Sequence, residues 1–297
     1  MRPVPPLWVW PLGTGLAAGV ALLMLLWVNH ATRPAIEPSG RAAAYARQVL
    51  DLPRVPGNIR VLGMGSSLLV AATPPPAYQT ASHLRWNRLS NPGLGMDFLG
   101  PSLPEVEQHP PDILVIEKNL LLVDPQHQMM GRLRSNVALG LKKIAAIAIP
   151  SLIQSEPMLE VLQRQDEKIF CEQLPKQNNA IDFKNYIHFL NIIYNSLQVD
   201  PTLSSALQRL SKRGVSIVIL DIQRSIPVER QTAAAKQAWF AQLRQLLPPG
   251  ARLTYLTSPS YDSGTLYCDG SHLSPAGSRR FMAWWTPELL QLQKAMH

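Results

Sequence analysis

Ile59 to Val70 reads IRVLGMGSSLLV. It opens as a short run of branched apolar residues, breaks at Gly63-Met64-Gly65-Ser66-Ser67, and resumes with Leu68-Leu69-Val70. The pattern predicts a strand over Ile59 to Leu62, a tight turn, and a helix start. In an open parallel sheet, ligands bind beyond the carboxyl ends of the strands. A serine at that position has an exposed hydroxyl beside backbone amides that the new helix leaves unpaired. Ser67 is therefore the first candidate functional residue.

Further strand patterns follow at intervals. Strands are expected at His83 to Leu89, Asp112 to Ile116, Val215 to Ile222 and Arg252 to Leu256. The segment DILVI is almost wholly apolar, as expected where helices cover both faces of a sheet. Between the runs lie helical patterns: a short one after Ser67 that Pro74 to Pro76 stop within two turns, Leu203 to Arg213, Thr232 to Leu247, and about Ser278 to Lys294. Pro227 is expected to close the loop after the fourth strand. Ser90 to Gly95 is a loop by composition. Strands alternating with helices predict a parallel sheet in an α/β sandwich.

Residues 1–32 carry a second signal. Leu7 to Val28 contains no charged residue. At about 1.5 Å per residue, a helix of that length spans a hydrocarbon core of roughly 30 Å. Trp8, Trp10 and Trp27 fall where interfacial aromatic belts sit. A cleaved signal peptide is the competing reading, but only Asn29-His30-Ala31 follows the run, with no clean small-x-small site. The expected organisation is a transmembrane anchor at 1–32, a linker at 33–57, and a catalytic-type domain at 58–297 with a helical insertion at about 124–208. Within the insertion, Val137 to Ile149 and Tyr186 to Leu197 read as helices. Charge hardly sets the orientation; the tiny N-terminal tail favours the large domain lying outside the cytoplasm.

The 297 residues suffice for one sizeable core. The net charge of +8 suits nucleic acid, anionic headgroups or an acidic polymer. The basic residues are scattered, and no nucleic-acid-binding signature is present, so no nucleic-acid partner is expected. Cys171 and Cys268 allow a single bridge and no disulfide scaffold. No group of His, Cys and carboxylates has metal-ligand spacing, and no metal or cofactor is expected.

Asp269-Gly270-Ser271-His272 places a carboxylate and an imidazole three residues apart just before a helix. A serine nucleophile needs a base, and the base needs an acid to hold its tautomer. Ser67 after the first strand, with Asp269 and His272 after the last, can converge along one sheet edge. Ser67, Gly93 and Asn119 are candidate oxyanion donors, since each falls at a predicted strand end. His83, His109, His127 and His188 have no such acid neighbour. Asp221 is an alternative acid, although its apolar surroundings fit a hydrogen-bonded strand-end carboxylate.

These blocks resemble those of the SGNH hydrolases, also called the GDSL superfamily. Gly65-Ser66-Ser67-Leu68 resembles the first block, with serine where the family usually has aspartate before the nucleophile. Asn91-Pro92-Gly93 resembles the second. Glu117-Lys118-Asn119 stands where the family has Gly-x-Asn-Asp, so the glycine and the final acid are absent. Asp269 to Gly277, DGSHLSPAG, resembles the last block closely. The resemblance implies a three-layer α/β/α sandwich with a mainly parallel, flavodoxin-like sheet. The Gly-Ser-Ser block and the anchor are similar to the branch that includes the alginate O-acetylation and teichoic-acid D-alanylation factors. That likeness implies a serine esterase or O-acyltransferase, acting on a surface or exported polysaccharide beside a membrane-bound acyl exporter. Its expected location is the inner membrane, with the domain periplasmic or extracellular.

Two other functions compete. A non-catalytic subunit of a polysaccharide assembly complex would keep the fold and lose the need for Ser67. A dinucleotide-binding module is suggested by Gly63-Met64-Gly65, but Leu68 replaces the third glycine and no acid lies about 20 residues on.

Overall fold

In the computed structural model, residues 58–73, 84–90, 96–122, 180–196, 201–247 and 252–294 are described. The expected anchor at 1–32, the linker at 33–57, Gly93, Cys171 and most of the expected insertion lie outside them. Among the described residues, no helix is long and apolar enough to cross a membrane.

Five strands form one sheet: β1 (Ile59–Gly65), β2 (Leu84–Ser90), β3 (Ile113–Glu117), β4 (Ser216–Asp221) and β5 (Leu253–Thr257). The order across the sheet is β2-β1-β3-β4-β5, and every neighbouring pair is parallel. This is the 2-1-3-4-5 order of a doubly wound sheet, whose switch point lies between β1 and β3. The register brings Gly65 beside Ser90 and Asp221 beside Thr257, so the carboxyl ends form one edge.

Helices α1 (Ser67–Ala72), α2 (Met96–Gln108), α3 (Ala180–Tyr194), α4 (Pro201–Lys212), α5 (Ile226–Leu246) and α6 (Pro275–Lys294) cover the sheet. Strand alternation sorts the core into two halves. Leu62, Met64, Leu114, Ile116, Ile217 and Ile219 face one side, with apolar residues of α2, α3, α4 and α5. Val61, Ile113, Val115, Val218 and Leu220 face the other, with α1 and α6. The architecture is α/β, with helices on both faces of the parallel sheet, as the apolar runs predict.

Four local differences from the sequence reading have clear causes. First, β1 does not turn at Gly63 but runs on to Gly65. Both glycines serve close packing: a Cβ at Gly63 would lie 2.4 Å from the Trp86 ring, and one at Gly65 would lie 2.3 Å from Leu69. The glycine turn that a dinucleotide site would need is therefore absent. Second, Pro227 does not close a loop; it occupies the first turn of α5, where its missing N–H costs nothing, so α5 starts six residues before Thr232. Third, α6 starts at Pro275, three residues before Ser278. Fourth, α2 occupies a stretch to which the sequence reading assigns no element. Its Pro101 and Pro104 argue against a helix, yet Leu99, Leu103 and Val106, at i, i+4 and i+7, bury fully against the sheet. Elsewhere α3 runs from Ala180 to Tyr194 rather than from Tyr186 to Leu197, and the strand ends shift by one residue.

Trp86 cannot easily give way to a new methyl, because its ring meets Trp285 of α6 edge to face, 6.0 Å between centroids. Gly63→Ala is therefore expected to cost about 1–3 kcal/mol of stability by overpacking. The urea midpoint of unfolding, compared with that of the native chain, checks this; an unchanged midpoint would contradict the packing described.

Candidate active site

The two turns flanking the switch point carry the first half of the site. Ser66 caps α1: its Oγ accepts from the Leu68 N–H at 3.2 Å. Ser67 is the first residue of the helix and is only partly covered. One strand over, Glu117 ends β3 and begins a single 3-10 turn, Lys118–Leu121, whose second residue is Asn119.

The last loop carries the second half. An antiparallel bridge pairs Tyr267 with Leu273, and the Cys268 N–H donates to the His272 carbonyl at 2.8 Å. Cys268 is disulfide-bonded. Gly270 holds φ at +80°, a conformation that a side chain would strain. Its carbonyl accepts from the Ser225 N–H at 2.9 Å. Within the loop, Asp269 Oδ1 accepts the N–H groups of Ser271 at 2.9 Å and His272 at 2.8 Å. Ser274 Oγ then accepts from the Gly277 N–H at 3.2 Å, which caps the entry to α6.

The two halves meet. His272 Nε2 lies 2.8 Å from Ser67 Oγ, and His272 Nδ1 lies 2.7 Å from Asp269 Oδ2. Ser67, His272 and Asp269 thus form a hydrogen-bonded relay, the arrangement that a serine nucleophile, its base and an orienting acid require. With Nδ1–H donated to the carboxylate, Nε2 is the nitrogen that can accept the hydroxyl hydrogen of Ser67. Burial pushes the Asp269 carboxyl up, but the His272 hydrogen bond and charge, with the two amide donors, outweigh it and hold the group below its ordinary value.

Asn119 comes to the same edge by a route the sequence does not announce. The Glu117 side chain, fully buried, accepts three hydrogen bonds. Oε2 takes the Ser66 hydroxyl at 2.6 Å and the Ser66 N–H at 3.1 Å, and Oε1 takes the Asn119 N–H at 2.9 Å. The Asn119 Nδ2 then donates to Ser66 Oγ at 3.3 Å. Arg224, which follows β4, lies behind Asn119. Its Nη2 donates to Asn119 Oδ1 at 3.3 Å, its Nε to the Tyr186 hydroxyl at 2.9 Å, and its Nη1 to the Tyr194 hydroxyl at 3.1 Å. The Tyr186 hydroxyl also bonds Ser271 Oγ, which ties α3 to the loop that carries Asp269 and His272. Burial raises the Tyr194 phenol to about 12, so it stays a neutral hydroxyl at Arg224.

Asp221 is not an alternative acid for the relay. It ends β4 in a buried ion cluster, paired with Lys118 and, at 2.6 Å, with Lys236, which also meets Glu229 at 2.6 Å. Burial raises the Asp221 carboxyl, but the two lysines more than reverse this and hold it below its ordinary value. His188 is exposed on α3, and His109 follows α2 at the amino edge of the sheet; His83, His127 and Gly93 lie outside the described residues. Among the described residues, no group of three or more His, Cys, Asp and Glu is arranged to hold a metal ion.

The sequence reading names Ser67, Asp269, His272 and Asn119, and the structure brings them to one edge. It gives no role to Glu117, Arg224 or Tyr186. The available signal is positional: Glu117 and Arg224 are charged residues at or just past the carboxyl ends of apolar strands, where an α/β sheet builds its crevice. No protein-family model matches the chain, and no curated protein matches it either.

The depressed Asp269 value has a definite sign. A carboxyl held below its unfolded value contributes stability above about pH 4, and that contribution disappears as the pH falls through the folded value. The stability difference between the native chain and Asp269→Asn is therefore expected to be constant above about pH 5 and to shrink on acidification. Urea midpoints across that range check it; a difference that widens in acid would contradict the pairing. Breaking the buried cluster by Asp221→Ala should cost about 3–5 kcal/mol, because two buried lysines lose their shared partner. The same unfolding experiment at neutral pH measures it.

Proposed function

We propose that the protein is an SGNH-type serine esterase or O-acyltransferase. In this reading Leu7 to Val28 anchors it in the inner membrane, and it acts on the acyl groups of a surface or exported polysaccharide, beside a membrane-bound acyl exporter. The observation that carries the reading is the Ser67–His272–Asp269 relay, with contacts of 2.8 and 2.7 Å, at the carboxyl edge of a parallel sheet.

The reaction runs in two halves. Ser67 Oγ attacks the acyl carbonyl carbon, and its proton passes to His272 Nε2, while Asp269 stabilises the imidazolium. The tetrahedral oxyanion takes donors from the Ser67 N–H, the Asn119 amide and the Gly93 N–H. As the ester C–O bond breaks, His272 returns the proton to the leaving oxygen, and the acyl group remains on Ser67. In the second half, water or a sugar hydroxyl gives its proton to His272 and attacks the acyl-enzyme. Water releases the free acid; the sugar carries the acyl group away. This chemistry uses only side chains and backbone amides. Support for the superfamily comes from the order of the blocks along the chain together with the 2-1-3-4-5 strand order.

The full-length chain in detergent, incubated with p-nitrophenyl acetate and a panel of glycan oligomers, tests the reading. Both free acid and acylated sugar are followed by mass spectrometry. Ser67→Ala is expected to lower product formation by about 10⁴-fold or more. Acylated sugar that depends on Ser67 identifies a transferase, and free acid alone an esterase. Product formation unchanged in Ser67→Ala overturns the serine mechanism. No product from the native chain would favour a non-catalytic assembly subunit.

A further inference from the structure

Among the described residues, Arg224, Asn119, Ser66 and Glu117 form a chain of hydrogen bonds with a fixed direction. A guanidinium can only donate, and a carboxylate can only accept. Arg224 stands at one end, so the Asn119 atom facing it, at 3.3 Å, is the carbonyl Oδ1. The amide nitrogen is then turned toward Ser66 Oγ, also at 3.3 Å. Glu117 stands at the other end, so the Ser66 hydroxyl hydrogen points to Oε2, at 2.6 Å, and leaves its lone pairs for Asn119 and Leu68. No link can reverse unless an end group changes. All four side chains are buried, with Glu117 at 0% exposure and Arg224 at 3%, so water cannot substitute for a lost partner.

We infer that Arg224 and Glu117 are positioning residues, which hold the Asn119 carboxamide with its N–H groups on the Ser67 side so that it receives the oxyanion. This deepens the acyl-transfer reading and rests on it. The Asn119 amide has two N–H groups. One is taken by Ser66, and no acceptor among the described residues takes the other. A carboxamide flipped by half a turn would present a carbonyl to a developing anion, which is repulsive; Arg224 prevents the flip. Both carboxylate oxygens of Glu117 are engaged by donors, so either orientation of the amide in Glu117→Gln puts an N–H against an N–H. The carboxylate that the first block of the resembled family places beside the nucleophile is absent here, and Glu117 brings a carboxylate to that turn from the neighbouring strand.

A fluorophosphonate probe tests this without knowledge of the natural substrate. Ser67 Oγ bonds to phosphorus as the P–F bond breaks; fluoride leaves with the electron pair, and the serine proton goes to His272. The phosphoryl oxygen occupies the oxyanion position, so the second-order labelling rate of the full-length protein reads the donors there. Asn119→Ala is expected to slow labelling by about 10²- to 10³-fold. Glu117→Gln and Arg224→Lys should slow it by roughly 10- to 100-fold, with the site of labelling still Ser67. The deciding comparison is Glu117→Gln combined with Asn119→Ala. A residue acting through Asn119 adds no further loss, whereas a merely structural role multiplies the two losses. Glu117→Gln that labels at the native rate, or losses that multiply, would overturn the proposal while leaving the serine mechanism intact. Labelling undiminished in Ser67→Ala would overturn both. If Arg224→Lys does not fold, the near-isosteric Glu117→Gln and its double variant decide alone.

Discussion

The Glu117 carboxylate sits at the switch point of the sheet, and two turns depend on it. With no solvent exposure, it would be costly to leave unpaired, so its three short-range donors are obligatory rather than incidental. Two of them come from Ser66, in the turn that presents Ser67; the third is the amide of Asn119, in the turn beside it. One buried charge thereby fixes the relative placement of two loops that no strand pairing extends to. The parallel ladder between β1 and β3 ends at Met64 and Ile116. Beyond that point, the carboxylate takes over the role of the ladder.

Arg224 has a matching function on the other side. Its guanidinium holds Asn119, Tyr186 and Tyr194, while its carbonyl accepts from Ser260 Oγ at 2.5 Å and from the Tyr267 hydroxyl at 3.0 Å. The residue therefore touches Asn119 through its side chain and the approach to the Asp269 loop through its backbone. The charges nearby are balanced: Lys118, Lys236 and Arg224 are offset by Asp221, Glu229 and Glu117. Such a cluster adds little net stability over an apolar core, but each member removed singly leaves an unpaired neighbour. Its effect is to specify a geometry, with the polar groups at the end of β4 held in one arrangement under the site.

The sequence made the sheet and the relay legible for different reasons. Strands β1, β3 and β4 are apolar runs that the sheet buries, whereas β2 and β5 are edge strands with mixed polarity and are marked chiefly by the turn residues around them. Asp269 and His272 are readable because three residues of loop confine them to one neighbourhood. Ser67 is readable because a serine just past a strand has few ways to point. The continuation of β1 through Gly63 and Gly65 was hidden, because glycine signals a turn locally while here it makes room for Trp86 and Leu69. Helix α2 was hidden because Pro101 and Pro104 outweigh three apolar residues in a local reading, whereas burial of those residues decides in the folded chain. The links from Glu117 to Ser66 and from Arg224 to Asn119 span 51 and 105 residues. Pairings that distant carry no periodicity or spacing that a local pattern can register.

The separation of the relay along the chain has a consequence for synthesis. Ser67 and His272 are 205 residues apart, and Ser278 at the start of α6 donates to the carbonyl of Ala72 at the end of α1 across 206. Helices α1 and α6 are thus stitched together beside Ser67. Loop closure over such distances is entropically late, and it awaits the segment that carries His272 and α6. A nascent polypeptide therefore carries Ser67 through about 200 residues of synthesis before His272 can reach it. The contact between Ser67 and His272 forms only as α6 docks against α1.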